Sequence, residues 1–183
     1  MNAPDPKIDP SAVGQGADWP NAVYRALKAR NVRQMSYVPD AGHTALINLF
    51  GADPDVASTV LTTEEEGVAI SVGAWLGGDR SVLLMQSSGV GNCINMLSLP
   101  VLARTPLLML VTMRGEWGEF NPWQMPMSRA TQASLEAIGV TVFRAETGAE
   151  LVAMADQAAA MAFEADQQIA VLLGQRLLGE KTG

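Results

Sequence analysis

Three consecutive glutamates, Glu64 to Glu66, open a stretch that is otherwise small and apolar and that carries no further charge until Asp79. This pattern predicts a helix whose first turn is acidic and whose body is buried. Acidic residues in a first helical turn often serve only to complement the helix dipole. The functional interpretation is that one of these carboxyl groups reaches a bound ligand inside an apolar pocket.

Polar clusters follow three other apolar segments of the chain. They lie at residues 39–43, 86–92 and 114–116, and each comes where a predicted strand ends. In open α/β sheets, ligands bind at the carboxyl ends of the strands. The convergence of all these clusters on one edge of a sheet indicates a site more strongly than any one of them does.

The elements that must position these clusters alternate along the chain. Apolar runs such as residues 81–86 and 106–113 are typical of parallel strands covered on both faces. We predict an α/β fold, with a doubly wound, six-stranded, mainly parallel sheet and helices on both faces. Residues 1–17 are predicted to form an N-terminal arm and residues 18–183 one domain. The predicted strands are 35–38, 57–61, 81–86, 106–113, 140–144 and 169–173, and the main helices are about 18–30, 42–50, 64–76, 131–138 and 149–165.

Residues 88–92, Ser-Gly-Val-Gly-Asn, are predicted to be a glycine loop that leads into a helix ending near Arg104. Gly89 and Gly91 would let a ligand approach the backbone closely. The segment lacks the third glycine of a dinucleotide fingerprint, and no Gly-Lys-Ser/Thr follows, so nicotinamide and P-loop sites are poor interpretations. A tight strand-to-helix turn without a ligand is the alternative. Residues 114–129 are too polar and aromatic for a core element and are predicted to be a long loop.

Two further residues have both a functional and a structural interpretation. His43 is the only histidine of the chain and lies close to Asp40. It could transfer a proton near neutral pH, or it could be a structural hydrogen-bonding residue. Arg114 follows an apolar strand and could bind an anionic group in a fork, or it could form a salt bridge to Glu116 or Glu119.

Composition limits the class of protein. The net charge of -7 argues against nucleic-acid binding, and the combination of 48% hydrophobic and 17% charged residues suggests that part of the surface is covered by a partner.

Cys93, the only cysteine, is interpreted as a packing residue. One cysteine and one histidine cannot build a metal cluster, so no metal ligands are predicted in this chain. The first residues do not resemble a signal peptide, and Pro100, Arg104 and Pro106 interrupt the longest apolar region, which predicts a cytoplasmic protein.

Several of these segments together carry a resemblance. The chain resembles the pyrimidine-binding domain of thiamine-diphosphate-dependent 2-oxo acid decarboxylases over most of residues 18–175. It is similar above all to the separate α subunits of the sulfopyruvate decarboxylases, and also to phosphonopyruvate decarboxylases. The segments that carry the resemblance are Val-Pro-Asp at 38–40, Thr-Glu-Glu-Glu-Gly-Val at 63–68, Gly-Ala-Trp-Leu at 73–76, Leu-Met-Gln-Ser-Ser-Gly-Val-Gly-Asn at 84–92 and Arg-Gly-Glu-Trp-Gly at 114–118.

The resemblance implies roles for individual residues. The activating glutamate of the family lies nine positions before a helix glycine, and counting back from Gly73 selects Glu64. Glu64 would then hydrogen-bond the pyrimidine ring of thiamine diphosphate, and Asp40 and His43 would act near the reacting carbonyl. The resemblance assigns the cofactor to Glu64, Gln86, Ser87, Gly89, Gly91 and Asn92, and the sulfonate of the substrate to Arg114, His43 and Gln86.

The resemblance also implies a partner. The family binds the diphosphate and Mg²⁺ through a Gly-Asp-Gly segment, and the sequence contains none, since Gly78-Asp79 is followed by Arg80. A separate β subunit would therefore carry the diphosphate and magnesium sites, in a hetero-oligomer. Alternatives are a subunit for phosphonopyruvate or another small 2-oxo acid, a non-catalytic assembly subunit of the same fold, and a flavodoxin-like binding domain unrelated to thiamine.

Overall fold

Six strands form one sheet in residues 18–178, the part of the chain that the computed structural model describes. The predicted N-terminal arm, residues 1–17, lies outside the described residues. The strands are β1 (Val32–Tyr37), β2 (Ala57–Val60), β3 (Arg80–Gln86), β4 (Leu107–Thr112), β5 (Thr141–Ala145) and β6 (Gln168–Leu173). They lie in the order β2-β1-β3-β4-β6-β5, and every neighbouring pair is parallel. The predicted α/β fold with a six-stranded parallel sheet is confirmed.

Helices connect the strands. In the described residues they are α1 (Trp19–Ala29), α2 (Thr44–Gly51), α3 (Glu64–Leu76), α4 (Ser87–Cys93), α5 (Ser98–Ala103), α6 (Met125–Ala137), α7 (Gly148–Ala165) and α8 (Gln175–Leu178), with short 3-10 helices at Ala41–His43 and Pro122–Gln124. Helix α3 follows Thr63, whose backbone is extended, and it ends at Leu76, with Gly77 as the C-cap before Gly78, which has a φ of +91°. Its three glutamates lie in the first turn, as predicted from the charge pattern.

Two apolar clusters pack against opposite faces of the sheet. Helices α1, α2 and α7 contribute to one cluster, and α3, α4 and α6 contribute to the other. Successive residues of a strand alternate between them, so that Val82 and Leu84 join the first cluster and Leu83 and Met85 join the second. Because β3, β4 and β6 are covered on both sides, their sequences read as continuous apolar runs.

The predicted glycine loop at residues 88–92 is wrong. Helix α4 begins at Ser87, directly after β3, and includes both glycines. Gln86 precedes it with an extended backbone, at a ψ of 166°, so the chain turns from strand to helix within one residue. Neither Gly89 nor Gly91 has room for an unhindered Cβ, because each faces a neighbouring side chain. Tertiary packing therefore overrides the low helix propensity of glycine here.

The predicted loop at residues 114–129 is shorter than expected. Pro122 opens a 3-10 helix, in which the Asn121 side chain accepts a hydrogen bond from the backbone nitrogen of Trp123 at 3.1 Å, and α6 then starts at Met125 rather than near Thr131. Apolar periodicity does not reveal this helix start, because the buried side chains around it, Gln124 and Ser128, are polar. No helix within residues 18–178 combines the length and apolar character needed to cross a membrane.

Candidate active site

The carboxyl ends of the adjacent strands β2, β1, β3 and β4 lie at one edge of the sheet. The strand registers bring Tyr37 level with Val60, and Gln86 level with Thr112. The polar clusters that follow these strands therefore meet, as the sequence predicted. The residues gathered there include Asp40, Glu64, Ser87, Asn92, Thr112 and Arg114.

Glu64 is the buried member of the three glutamates. It is the first residue of α3 and is 6% exposed, whereas Glu65 and Glu66 are exposed. Its Oε2 accepts a hydrogen bond of 2.9 Å from Nδ2 of Asn92. The Glu66 carboxylate instead accepts a hydrogen bond of 2.8 Å from the backbone nitrogen of Thr62, a local contact at the helix start. The geometry thus singles out Glu64 as the sheltered acid of this helix.

Helix α4 packs against the Glu64 carboxyl group through a glycine. A Cβ on Gly89 would lie 2.4 Å from both Cδ and Oε1 of Glu64. A Cβ on Gly91 would lie 3.1 Å from Sδ of Met127. Gly89 therefore allows the acid to lie against the helix backbone, while Gly91 allows α6 to pack against α4. Of the two glycines, only Gly89 contacts the candidate site in this way.

Gln86 and Ser87 join β3 to this site. Ser87 is fully buried, and its Oγ accepts a hydrogen bond of 3.1 Å from the backbone nitrogen of Arg114. Oε1 of Gln86 is buried and accepts no hydrogen bond within residues 18–178. A buried amide oxygen without a donor is costly, so Gln86 is a suitable ligand-binding group. Ser87 instead fixes the backbone where β3 and β4 end.

Asp40 lies on the other side of the site, where it is held by a residue that carried no sequence signal. Oγ1 of Thr112, the last residue of β4, donates a hydrogen bond of 2.6 Å to Oδ2 of Asp40. Gly42 makes room for this pair, since a Cβ there would lie 2.8 Å from Cγ2 of Thr112. Asp40 also borders a cavity of about 340 Å³ that Tyr37 and Asn48 help to line.

His43 is placed differently from the other predicted site residues. Its ring is fully buried, and Nε2 donates a hydrogen bond of 3.0 Å to the carbonyl oxygen of Leu110, within β4. This contact fastens the 3-10 helix to the sheet. It favours the structural interpretation of the histidine, and a catalytic role for His43 stays a prediction.

Arg114 forms a buried ion pair with Glu119, one of the two salt bridges that the sequence left open. Nε of Arg114 donates to Oε2 of Glu119, and Nη2 donates to Oε1, each at 2.7 Å. The Arg114 guanidinium, together with the backbone nitrogens of Asn121 and Gly115, lowers the pKa of Glu119 to about 2, although burial acts to raise it. The Glu119 carboxylate in turn raises the pKa of Arg114, and Asp40 adds to this through space.

Gln175, from the short helix after β6, anchors the segment that follows β4. Its Oε1 accepts hydrogen bonds of 2.8 Å from the backbone nitrogens of both Glu116 and Trp117. The Glu116 carboxylate is held in a fork by Arg144 of β5. Gln175 and Thr112 have a place in the site only because distant parts of the chain meet there, so no local motif could have identified them.

Cys93 ends α4 close to the site but is sealed within the core. Burial, and to a smaller extent the Glu64 and Glu65 carboxylates, raise its pKa to about 12. Such a thiol is not a nucleophile at neutral pH. No group of three or more His, Cys, Asp or Glu side chains within residues 18–178 is arranged to hold a metal ion.

The curated proteins that are similar in sequence to this chain include two decarboxylases of different substrates. The chain is 33% identical to the sulfopyruvate decarboxylase subunit alpha of Methanococcus maripaludis over 153 residues, which cover 83% of this chain and 92% of that subunit. It is 39% identical to the phosphonopyruvate decarboxylase of Streptomyces viridochromogenes over 107 residues, which cover 57% of this chain and 27% of that enzyme. No model of a protein family matches the chain.

A solved structure shares the fold at low sequence identity. The 2-oxoglutarate:ferredoxin oxidoreductase from Magnetococcus marinus aligns with a TM-score of 0.72 and 16% identity, over 87% of this chain and 29% of that chain. The alignment covers most of this sheet and its helices, so the α/β architecture recurs as part of a much longer chain.

Proposed function

Because this chain belongs to the family of sulfopyruvate decarboxylase α subunits, we propose that it is the α subunit of a thiamine-diphosphate-dependent carboxy-lyase. Its reaction converts sulfopyruvate to sulfoacetaldehyde and carbon dioxide. The observation that carries the proposal is the Glu64 carboxyl group, which is buried at the carboxyl edge of the sheet, packed on Gly89 and oriented by Asn92. The proposed pyrimidine-binding domain is residues 18–183, and the proposed location is the cytoplasm.

The residues at this edge fit the aminopyrimidine part of thiamine diphosphate. Glu64 offers a sheltered acid, and Gln86 offers a buried oxygen without a donor. When bound, the coenzyme supplies the nucleophilic carbon and the electron sink that loss of carbon dioxide requires. Ser87, Gly89, Gly91 and Asn92 complete the proposed cofactor-binding set. Ser87 and Gly91 support it indirectly, because they fix the backbone around α4.

The role of Glu64 is to share a proton with the pyrimidine ring. Asn92 donates to Oε2, so we assign the shared proton to Oε1, the oxygen beside Gly89. Removal of water strengthens such a bond, because the local dielectric is low. In the same proposal, Asp40 lies near the reacting carbonyl with its carboxylate oriented by Thr112, and His43 supports this region by fastening the 3-10 helix to the sheet.

The substrate is a small dianion, and the chain itself carries a net charge of -7. The substrate must therefore be attracted by local cationic or hydrogen-bonding groups rather than by the net charge of the chain. We assign the sulfonate to Arg114, assisted by Gln86 and His43. Arg114 is only 8% exposed, so its guanidinium would bind an anion largely shielded from water. Hydrogen bonds between charged groups are strongest in such an environment.

A separate β subunit completes the enzyme in this proposal. The relative from Methanococcus maripaludis is named as a subunit and is matched over 92% of its length. The sequence contains no Gly-Asp-Gly segment, so we assign the diphosphate and Mg²⁺ sites to the β subunit. The active site would then lie between the two chains, which agrees with the high apolar content of this one.

Phosphonopyruvate is the second candidate substrate. It has the same 2-oxo acid and a phosphonate in place of the sulfonate. The 39% identity to a phosphonopyruvate decarboxylase favours this candidate, although that match covers 57% of the chain. A non-catalytic assembly subunit would keep the fold but would not need an acid at residue 64.

The test uses the complex of this chain with its partner, supplied with thiamine diphosphate and magnesium. Release of carbon dioxide and of aldehyde is measured with sulfopyruvate and with phosphonopyruvate. Glu64→Gln is expected to lower kcat by about 100-fold or more, since positioned proton transfer contributes on that scale. Glu65→Gln is the matched control and should retain the wild-type rate. Full activity of Glu64→Gln would show that the chain is a non-catalytic assembly subunit. A preference for phosphonopyruvate would identify that 2-oxo acid, and not sulfopyruvate, as the substrate.

A further inference from the structure

Glu119 is a buried carboxylate to which the proposed function assigns no role. Its side chain is only 1% exposed. Three backbone or amide groups donate to it in addition to Arg114: the backbone nitrogens of Gly115 and Asn121, each at 3.1 Å, and Nε2 of Gln175, at 3.3 Å. A buried carboxylate with this many donors is both charged and fixed in position.

The ion pair leaves part of the Arg114 guanidinium available. Glu119 engages the edge formed by Nε and Nη2. The edge formed by Nη1 and Nη2 points along another direction, because the guanidinium group is planar and its donors form a fixed fork. An arginine can therefore hold a carboxylate on one edge and a second anion on the other. Held on one edge, Arg114 becomes a directional donor rather than a mobile charge.

Glu119 also decides which carboxylate Arg114 contacts. Asp40 lies close enough to raise the pKa of Arg114. Without Glu119, nothing would fix the direction of the guanidinium, and Asp40 would be the other acid with an electrostatic effect on it. Loss of that direction would take the cation away from the position assigned to the sulfonate.

The turn that holds Glu119 requires a glycine. Gly115 has a φ of +73°, in the left-handed region, and a Cβ there would lie 2.9 Å from Cα of Met125. This conformation aims the Gly115 nitrogen at the Glu119 carboxylate. The segment therefore folds back so that residue 119 returns to the side chain of residue 114.

We propose that Glu119 is a positioning residue that holds the Arg114 guanidinium so that its free edge receives the second, sulfonate group of the substrate. The proposal rests on the proposed function, because it takes Arg114 as the sulfonate-binding group. It assigns to Glu119 the discrimination between 2-oxo acids with and without a second anionic group, and not the rate of the chemical step.

The experiment compares the wild-type complex with complexes that carry Glu119→Gln, Arg114→Gln or both changes. The kcat and KM for sulfopyruvate are measured, together with the inhibition constants of two probes. Sulfoacetate carries the sulfonate without the 2-oxo group, and pyruvate carries the 2-oxo acid without the sulfonate. Glu119→Gln is expected to raise the KM for sulfopyruvate and the inhibition constant of sulfoacetate about tenfold or more. This is the scale expected for loss of a hydrogen bond to a charged group. The kcat and the inhibition constant of pyruvate should stay within about threefold, because the groups that contact the 2-oxo acid are left in place.

The double variant tests whether Glu119 acts through Arg114. Its effect should equal that of Arg114→Gln alone, because Glu119 has nothing left to position. Additive effects, or an equal rise for sulfoacetate and pyruvate, would overturn the proposal. Arg144→Gln is the matched control, since it breaks another arginine–glutamate fork on the same segment without touching Arg114; a similar rise in KM there would indicate general loop order instead.

Two further measurements keep the test decisive. Glu119→Asp keeps the charge but shortens the reach, so it should fold where Glu119→Gln fails and still weaken sulfoacetate binding. If the wild-type complex does not turn over sulfopyruvate at all, the proposed function fails. Sulfoacetate binding to the same complexes, measured by calorimetry, then tests the positioning role independently, and equal affinities for all variants would reject it.

Discussion

The carboxyl group of Glu64 lies directly against the Cα of Gly89, with no room for a side chain between them. A Cβ on residue 89 would approach Cδ of Glu64 to 2.4 Å. Gly89→Ala should therefore displace the acid and lower kcat by roughly 100-fold, the scale expected for a displacement of about 1 Å. Steady-state kinetics of the complex measures this. Gly51→Ala, at a helical glycine with open space around it, is the control that should keep full activity.

Asn92 orients Glu64 through a single hydrogen bond of 2.9 Å. Removing that bond with Asn92→Ala should lower kcat by about tenfold, as expected for one hydrogen bond to a group that carries or shares charge. The protein should stay folded, because Asn92 is exposed. Asn95→Ala, a few residues further along and also exposed, should have no effect. Equal rates for the Asn92 variant and the wild type would contradict the orienting role.

Thr112 is expected to matter through its hydroxyl group and not through its size. Thr112→Val keeps the shape but removes the donor to Asp40, so it should cost about 1–2 kcal/mol of transition-state stabilisation. Thr112→Ser keeps the donor and should retain most activity. The ratio of kcat/KM values gives this free energy directly. If the valine variant is as active as the serine variant, the hydroxyl group of Thr112 has no role in orienting Asp40.

Glu119 should make the stability of the protein fall in acid. Its pKa is lowered from 4.5 to about 2 in the folded state, so the charged form is stabilised by folding. That contribution is complete above the unfolded pKa and is lost as the pH falls toward the folded one. A depression of this size corresponds to about 3 kcal/mol, lost between roughly pH 5 and pH 2. Urea unfolding over this range should show a flatter pH profile for Glu119→Gln than for the wild type.

Cys93 should resist modification in the native protein. Its pKa of about 12, caused first by burial, leaves almost no thiolate at pH 8. Labelling by a maleimide should be at least about 100-fold slower than for a free cysteine, and it should become fast in denaturant. Mass spectrometry of timed samples measures both rates. Rapid labelling of the native chain would mean that α4 opens far more readily than its packing indicates.

The sheet, and the place of Glu64 in the first turn of α3, were predictable because their signals are local. Buried parallel strands read as apolar runs, and a glutamate nine residues before Gly73 fits a known resemblance. The sequence predicts a loop in place of helix α4, because the glycines of this helix are required by contacts with Glu64 and Met127, which lie far away in the sequence. Local propensity carries no information about such contacts.

The polar network was not predictable for a related reason. Gln175 lies 59 residues from Glu116, and Thr112 lies 72 residues from Asp40. Each pair forms only because parallel strands bring the segments after their carboxyl ends together. The sequence indicates Glu119 only as a possible salt-bridge partner of Arg114, because its donor at Gly115 depends on the left-handed turn there.

Strand β2 has an effect on how the chain must be handled. It lies at the border of the sheet, pairs only with β1, and all four of its residues are exposed. Its outer backbone groups can therefore pair with any extended polypeptide, including another copy of the chain. We expect the chain to self-associate when it is produced alone at high concentration. Co-expression with its partner is consequently the sounder route to material for each of these experiments.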